Sequence, residues 1–177
     1  MLIHSSCANY APAVQDPVAS DNALWQGLVQ AKQLGLVRAI GVSNFNATQL
    51  QSLKGPTPAV NQIALSVMPF WGNRFGHDDA LLAYCAAHGI TPQSYGSLRG
   101  CPFGDQRLTA IAAAHGVTSS QVCMRWVLQR GAVIAAGTGS NTTTAPQYAR
   151  ENLGIFDFTL SFVEMDTLNK FSNGTLM

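Results

Sequence analysis

Leu36-Val-Arg-Ala-Ile-Gly-Val-Ser-Asn-Phe-Asn46 is the stretch whose reading decides the fold. An apolar, β-type run from Val37 to Val42 stops at two small polar residues, Ser43 and Asn44, and Asn46 then caps a new helix. A buried strand that delivers a hydroxyl and a carboxamide at its C-terminal end is how α/β barrels and open α/β sheets build ligand sites.

Working outward, helix and strand patterns alternate. Asp21 to Leu34 reads as an amphipathic helix with Leu24, Leu28 and Ala31 on its apolar face and Gly35 at the exit. After strand Val37–Ser43, Asn46-Ala-Thr-Gln49 reads as a capping box opening a helix through Leu53. Strand Ala59–Ser66, a loop over Met68–Gly76 and a helix from Asp78 to His88 follow, the helix burying Leu81, Leu82 and Cys85. Ile90–Leu98 reads as a strand whose regular pairing begins after Pro92, which lacks a donor. A helix Asp105–His115 precedes a second capping box, Thr118 to Gln121, whose helix buries Val122, Trp126 and Val127. Strand Ala132–Ala136 runs into Gly137-Thr-Gly-Ser-Asn141, and helices over Ala145–Asn152 and Ser161–Phe171 close the chain. Repeated β-α units with short links imply parallel strands and right-handed crossovers.

Bulk properties narrow the function classes. The 177 residues suit one domain, and a composition 47% hydrophobic and only 11% charged fits either a well-buried α/β core or a piece of something larger. A net charge of +1 without a basic cluster gives no electrostatic footprint for nucleic acid. No apolar run reaches the ~18 residues of a membrane span, and the N-terminus carries no secretory signal pattern, so a cytoplasmic protein is expected. Cys7, Cys85, Cys101 and Cys123 are scattered, with neither a C-x-x-C nor a zinc spacing to His77, His88 or His115; they read as reduced thiols. No metal site is expected, and a metal-dependent hydrolase would need several His or carboxylates at strand ends where only His4 qualifies.

Six segments in order resemble the aldo-keto reductases. They are Leu2-Ile-His4, Arg38 to Phe45, Ala59-Val-Asn-Gln-Ile63, Leu81 to Cys85 with His88-Gly-Ile90, Gln121 to Trp126, and Glu151-Asn-Leu-Gly-Ile-Phe-Asp-Phe158. The resemblance implies a (β/α)8 barrel and NADP(H)-dependent reduction of aldehydes and ketones, with NAD(H) not excluded as cofactor. It assigns His4 to orienting the substrate carbonyl, and Ser43, Asn44 and Gln62 to the nicotinamide carboxamide. Tyr95 would stack on the nicotinamide ring. Gly137, Thr138, Gly139, Ser140 and Asn141 would meet the adenosine-side phosphates, and Glu151 and Asn152 lie near the adenine in that family. Trp71, in the loop after strand Ala59–Ser66, is a candidate to face a small carbonyl substrate.

The chain also departs from the family. It opens on what resembles the fourth strand, so the expected fold is a partial (β/α)8 TIM barrel, strands 4 to 8 with their helices, as one incomplete domain over residues 1–177. The family's catalytic Asp, its acid Tyr and the Lys that tunes it fall in the first three β/α units. Lys32, Lys54 and Lys170 all sit on expected helices or helix ends, and Tyr10 is the only phenol in the loop after His4. The family's S-P-L after the stacking tyrosine is Gly96-Ser97-Leu98, and Tyr148 stands where many members carry an Arg for the 2′-phosphate, with Arg150 two residues on. Two function classes follow. One is an oxidoreductase of this type, inactive as an isolated chain. The other is a non-catalytic nucleotide- or partner-binding module, whose exposed strand edges open a route to self-association.

Overall fold

The computed structural model describes residues 1–10, 13–70, 79–139 and 141–172. Five strands, β1 (Leu2–Ile3), β2 (Gly41–Ser43), β3 (Val60–Ala64), β4 (Thr91–Tyr95) and β5 (Val133–Ala135), lie in one sheet in sequence order. β1, β2 and β3 are parallel neighbours, with Leu2 opposite Gly41, Val42 opposite Asn61 and Ser43 opposite Gln62. Each strand is followed by helix: α1 (Cys7–Tyr10) and α2 (Pro17–Gln33), α3 (Ala47–Ser52), α4 (Asp79–Ala87), α5 (Gln106–His115) and α6 (Ser119–Gln129), then α7 (Ala145–Leu153). A 3-10 turn, Gly154–Phe156, and α8 (Phe162–Ser172) complete the chain. The fold is the expected α/β succession of five β/α units. The strands are shorter than the apolar runs that announce them.

The chain divides into two compact units, Met1–Ile63 with Arg74–Gln93, and Ala64–Asn73 with Ser94–Met177. In the first, Trp25, Val42, Phe45 and Ile63 are wholly buried. Both capping boxes form as read, Asn46 with Gln49 here and Thr118 with Gln121 in the second unit. Two readings are corrected. α2 starts at Pro17, with Asp16 accepting from the Ala19 N–H at 2.9 Å, because proline at the first helical turn gives up no needed donor. Its buried residues are Asp21 and Trp25, and Leu24 is 51% exposed. The periodicity missed this because a carboxylate was not counted as a core residue. β4 begins before Pro92: the Thr91 N–H donates to Ala59 O at 3.0 Å, so the missing proline donor is not the one this ladder uses.

In the second unit α6 lays Val122, Trp126 and Val127 into the core as expected. Its polar edge is tied down as well, with Trp126 Nε1–H donating to Asn169 at 2.8 Å and Arg125 to Ile155 O at 3.1 Å. The expectation of four reduced thiols fails here. Cys101, after β4, and Cys123, on α6, form a disulfide with Cα atoms 5.9 Å apart. A separation of 22 residues carries no spacing signal, and only the packing of the loop on α6 brings the two together. Cys7 and Cys85 are free.

α5 meets α8 through His115 Nε2 and Glu164, 2.9 Å apart. Burial alone would raise the Glu164 carboxyl, but the Ser161 N–H and O–H and the His115 ring together hold it below its ordinary value of 4.5. A carboxyl depressed in the folded state stabilises above its unfolded pKa, and that stabilisation is lost as the pH falls through the folded value. Thermal unfolding followed against pH should therefore lose stability on acidification below about 4.5, and Glu164→Gln should flatten that dependence. Replacing the bridge by Cys101→Ser with Cys123→Ala should lower the unfolding free energy by about 2–4 kcal/mol in urea titrations, and an unchanged midpoint would contradict its structural role.

Candidate functional site

The first unit gathers polar groups across successive strands. After β2 the backbone turns through Asn44 at φ +58°, a left-handed conformation that asparagine tolerates better than most residues. The turn is held from several sides. Gln62 O of β3 accepts both the Ser43 hydroxyl and the Asn44 N–H, each at 2.8 Å. The Asn44 side-chain amide donates to His4 O, just past β1, and to Ser43 Oγ, both at 3.1 Å. Gln62 Nε2 in turn donates to Gln93 of β4 at 2.6 Å. His4 just past β1, Ser43 and Asn44 at the end of β2, and Gln62 and Gln93 in the middle of β3 and β4 therefore form one hydrogen-bonded row across four strands. Ser43 and Asn44 are buried in it, and the Gln62 and Gln93 side chains are half-exposed.

Three residues that sequence reasoning passed over make this row stand. Asn61, wholly buried, grips the Phe45 peptide at both ends, donating to its carbonyl at 2.8 Å and accepting its N–H at 3.4 Å. Asn9 on α1 donates to Asn44 O at 2.9 Å and accepts from Gln49 at 3.3 Å. Asp21, 2% exposed, accepts the Ser6 hydroxyl at 2.6 Å and the Cys7 N–H at 2.8 Å, and so caps α1 and fixes the segment that carries His4. A polar residue in a run such as Val60-Asn61-Gln62-Ile63 was the available signal, because a buried amide must find partners. Burial pushes the Cys85 thiol up to about 11, against the lowering effect of its hydrogen bond with Asn61, so it is no nucleophile at neutral pH.

His4 itself is exposed, with the Tyr10 ring 5.5 Å away and tilted by 59°. Tyr10 is 68% exposed. Among the described residues no three His, Cys, Asp or Glu side chains are grouped as a metal would need.

The remaining candidates lie in the second unit. Tyr95, half-exposed at the end of β4, meets the Phe70 ring edge to face, centroids 6.2 Å apart at 84°. Gly137 and Gly139 are exposed after β5, with Thr138 half-exposed between them. Asn141 shapes the entry to α7, its side chain accepting the Thr143 N–H at 2.9 Å and its carbonyl the Ala145 N–H at 3.0 Å. α7 opens with neither an acidic residue in its first turn nor a side-chain cap. Glu151 accepts from Gln147 through its carboxylate and from Gln121 through its carbonyl, and Asn152 is half-exposed beside it. Trp71 and Ser140 lie outside the described residues.

The sequence matches the family model described as "Aldo/keto reductase family" over residues 8–103 and 104–173. It is 39% identical over 155 residues to an aldo-keto reductase of Mycolicibacterium vanbaalenii, covering 85% of this chain and 51% of that protein. It is 36% identical over 157 residues to the 2,5-diketo-D-gluconic acid reductase B of a Corynebacterium species, covering 86% of this chain and 52% of the other. Among solved structures, an aldo/keto reductase from Brucella melitensis superposes with a TM-score of 0.76 at 28% identity, over 97% of this chain and 59% of the other. The Bombyx mori aldo-keto reductase AKR2E4 in complex with NADP gives 0.73 at 30% identity, over 97% and 56%. The chain thus spans about half the length of the curated relatives it matches.

The geometry of the β2 turn makes a separable prediction. Asn44→Val places a β-branched residue at positive φ and should cost about 1–3 kcal/mol. Asn44→Gly, which relieves the backbone while losing the amide, should cost less in the same urea titrations. Equal losses would show that the left-handed turn is not the constraint.

Proposed function

Because this chain belongs to the aldo/keto reductase family, we propose that it is the cofactor-gripping part of an NADP(H)-dependent oxidoreductase acting on an aldehyde or ketone. The observation that carries this reading is the row from His4 through Asn44, Ser43 and Gln62 to Gln93 across four strands. A carboxamide both donates and accepts, and a hydroxyl beside two amides matches that pattern. The entry to α7 carries no acidic side chain that would repel an anionic group.

In this reading Ser43, Asn44 and Gln62 hold the nicotinamide carboxamide and Tyr95 lies against its ring. Gly137 to Asn141 take the phosphates, Glu151 and Asn152 the adenine side, and Arg150 is the cation available for a 2′-phosphate. The nicotinamide, when bound, supplies the hydride. His4 orients the substrate carbonyl, Trp71 is the candidate substrate contact, and residues 1–177 act as one functional domain. Proton delivery is what the residues present do not provide. Lys32 and Lys170 lie on α2 and α8 and Lys54 follows α3, so none stands at a strand end to tune a phenol whose ordinary pKa is about 10. The isolated 177-residue chain therefore binds cofactor without turnover, and the tyrosine and lysine must reach the site from other polypeptide. The same lack favours a second reading, a nucleotide- or partner-binding module with no catalytic part. We also infer a cytoplasmic location, against which the Cys101–Cys123 bridge weighs, since cytosolic thiols are kept reduced.

Titrating the purified chain with NADPH while following nicotinamide fluorescence tests the reading. Saturable binding is expected, weakened about tenfold by Ser43→Ala with Gln62→Ala, on the scale of one to two lost hydrogen bonds. NADPH absorbance should stay constant when an aldehyde is added. Absence of binding at millimolar cofactor would remove the oxidoreductase reading, and steady NADPH consumption would overturn the claim that the isolated chain is inactive.

A further inference from the structure

We propose that Phe70 is a positioning residue for Tyr95: it fills the space that Gly96 leaves open and holds the tyrosine ring by an edge-to-face contact, so that the ring meets a flat cofactor ring in one orientation. This rests on the nicotinamide reading of Tyr95 given above, and it concerns a part of the chain where the sequence departs from the family, Gly96-Ser97-Leu98 replacing S-P-L.

The argument begins with glycine. Gly96 sits at φ +65°, and a Cβ placed there would lie 2.5 Å from Phe70 Cζ and 3.1 Å from its Cε2. A real Cβ does not approach a ring carbon so closely, so the backbone after Tyr95 and the Phe70 ring occupy these positions together only when residue 96 has no side chain. The contact to Tyr95 follows on the same ring, at 6.2 Å and 84°, in the range where aromatic pairs attract through edge and face.

Phe70 is not free to drift from this position. The segment that delivers it is strapped to β4 and the loop after it: Ser94 Oγ–H of β4 to Leu65 O at 2.6 Å, buried, and the Met68 N–H to Gly100 O at 2.7 Å. Gly100 adds a second close approach, because a Cβ there would collide with the Met68 carbonyl. Ser94 also shares a hydrogen bond with Ser97 at 2.7 Å, and the Arg99 N–H closes the turn on Gly96 O at 2.8 Å. The strap fixes the backbone on both sides of the aromatic pair. Phe70 then restricts the Tyr95 ring, whose rotation about its side-chain bonds the backbone alone does not limit.

Three variants test this, with Tyr95→Phe used to assign the Tyr95 ring resonances by proton NMR. In the chain without cofactor, Phe70→Leu removes the neighbouring ring current at similar volume and should shift the Tyr95 ring protons. Phe70→Tyr should leave them near their original positions, and Gly96→Ala should shift them by pushing Phe70 away. With NADPH, Phe70→Leu and Gly96→Ala should weaken binding about two- to tenfold, the scale of one aromatic pair. Phe70→Tyr should restore it. In a Tyr95→Leu background Phe70→Leu should have little further effect on binding, an outcome that a merely structural role would not give. Unmoved Tyr95 resonances in Phe70→Leu, or equal losses of affinity with and without Tyr95, overturn the proposal while leaving NADPH binding intact. A wild-type chain that fails to bind NADPH overturns it together with the reading beneath it, whatever the resonances show.

Discussion

The wholly buried Asn61 side chain holds Phe45 at both its N–H and its carbonyl, and the end of β2 depends on that grip. A chain leaving a parallel strand must turn away before the next helix, and its peptide groups lose their ladder partners as it does so. Here the turn passes through a left-handed asparagine. Such a conformation persists where the surroundings over-determine it, and they do: β3 supplies Gln62 O and the Asn61 amide, α1 supplies Asn9, and the end of β1 supplies His4 O. The candidate site is the exposed margin of this buried scaffold.

In the same unit Ser5 Oγ and Trp25 Nε1 are buried without hydrogen-bond partners among the described residues. Asp21 shows the opposite solution, a buried carboxylate whose oxygens accept two donors at the start of α1. Ser5 follows His4, and Ser6, which donates to Asp21, comes next, so both the satisfied and the unsatisfied polar groups crowd the stretch that delivers the histidine.

How much of this was legible in the sequence depends on the range of the interaction. The capping boxes at Asn46 and Thr118 were readable because both partners lie within one helical turn. The buried faces of α4 and α6 were readable because apolar spacing reports burial directly. α2 was misread because its buried Asp21 answers to Ser6 and Cys7, fifteen and fourteen residues away. The Cys101–Cys123 bridge was hidden for the same reason, since only the folded chain brings the loop onto α6. Within the site, Ser43 and Asn44 were recognisable from their strand-end pattern and the family segments, and Gln62 from its family segment alone. Asn9 and Gln93 were not, because each acts through partners some thirty to forty residues away that no local motif announces.

The four cysteine sulfurs end in three different chemical conditions. Cys101 and Cys123 are consumed by each other, and Cys85 is wholly buried, with a thiol that stays protonated well into alkaline solution. Cys7 alone is both unbridged and partly open to solvent, and it stands three residues beyond His4, at the head of α1. The fold has in effect left one sulfur within reach of an alkylating dye. A fluorophore attached there would mark the head of α1, where Asp21 holds the Cys7 N–H.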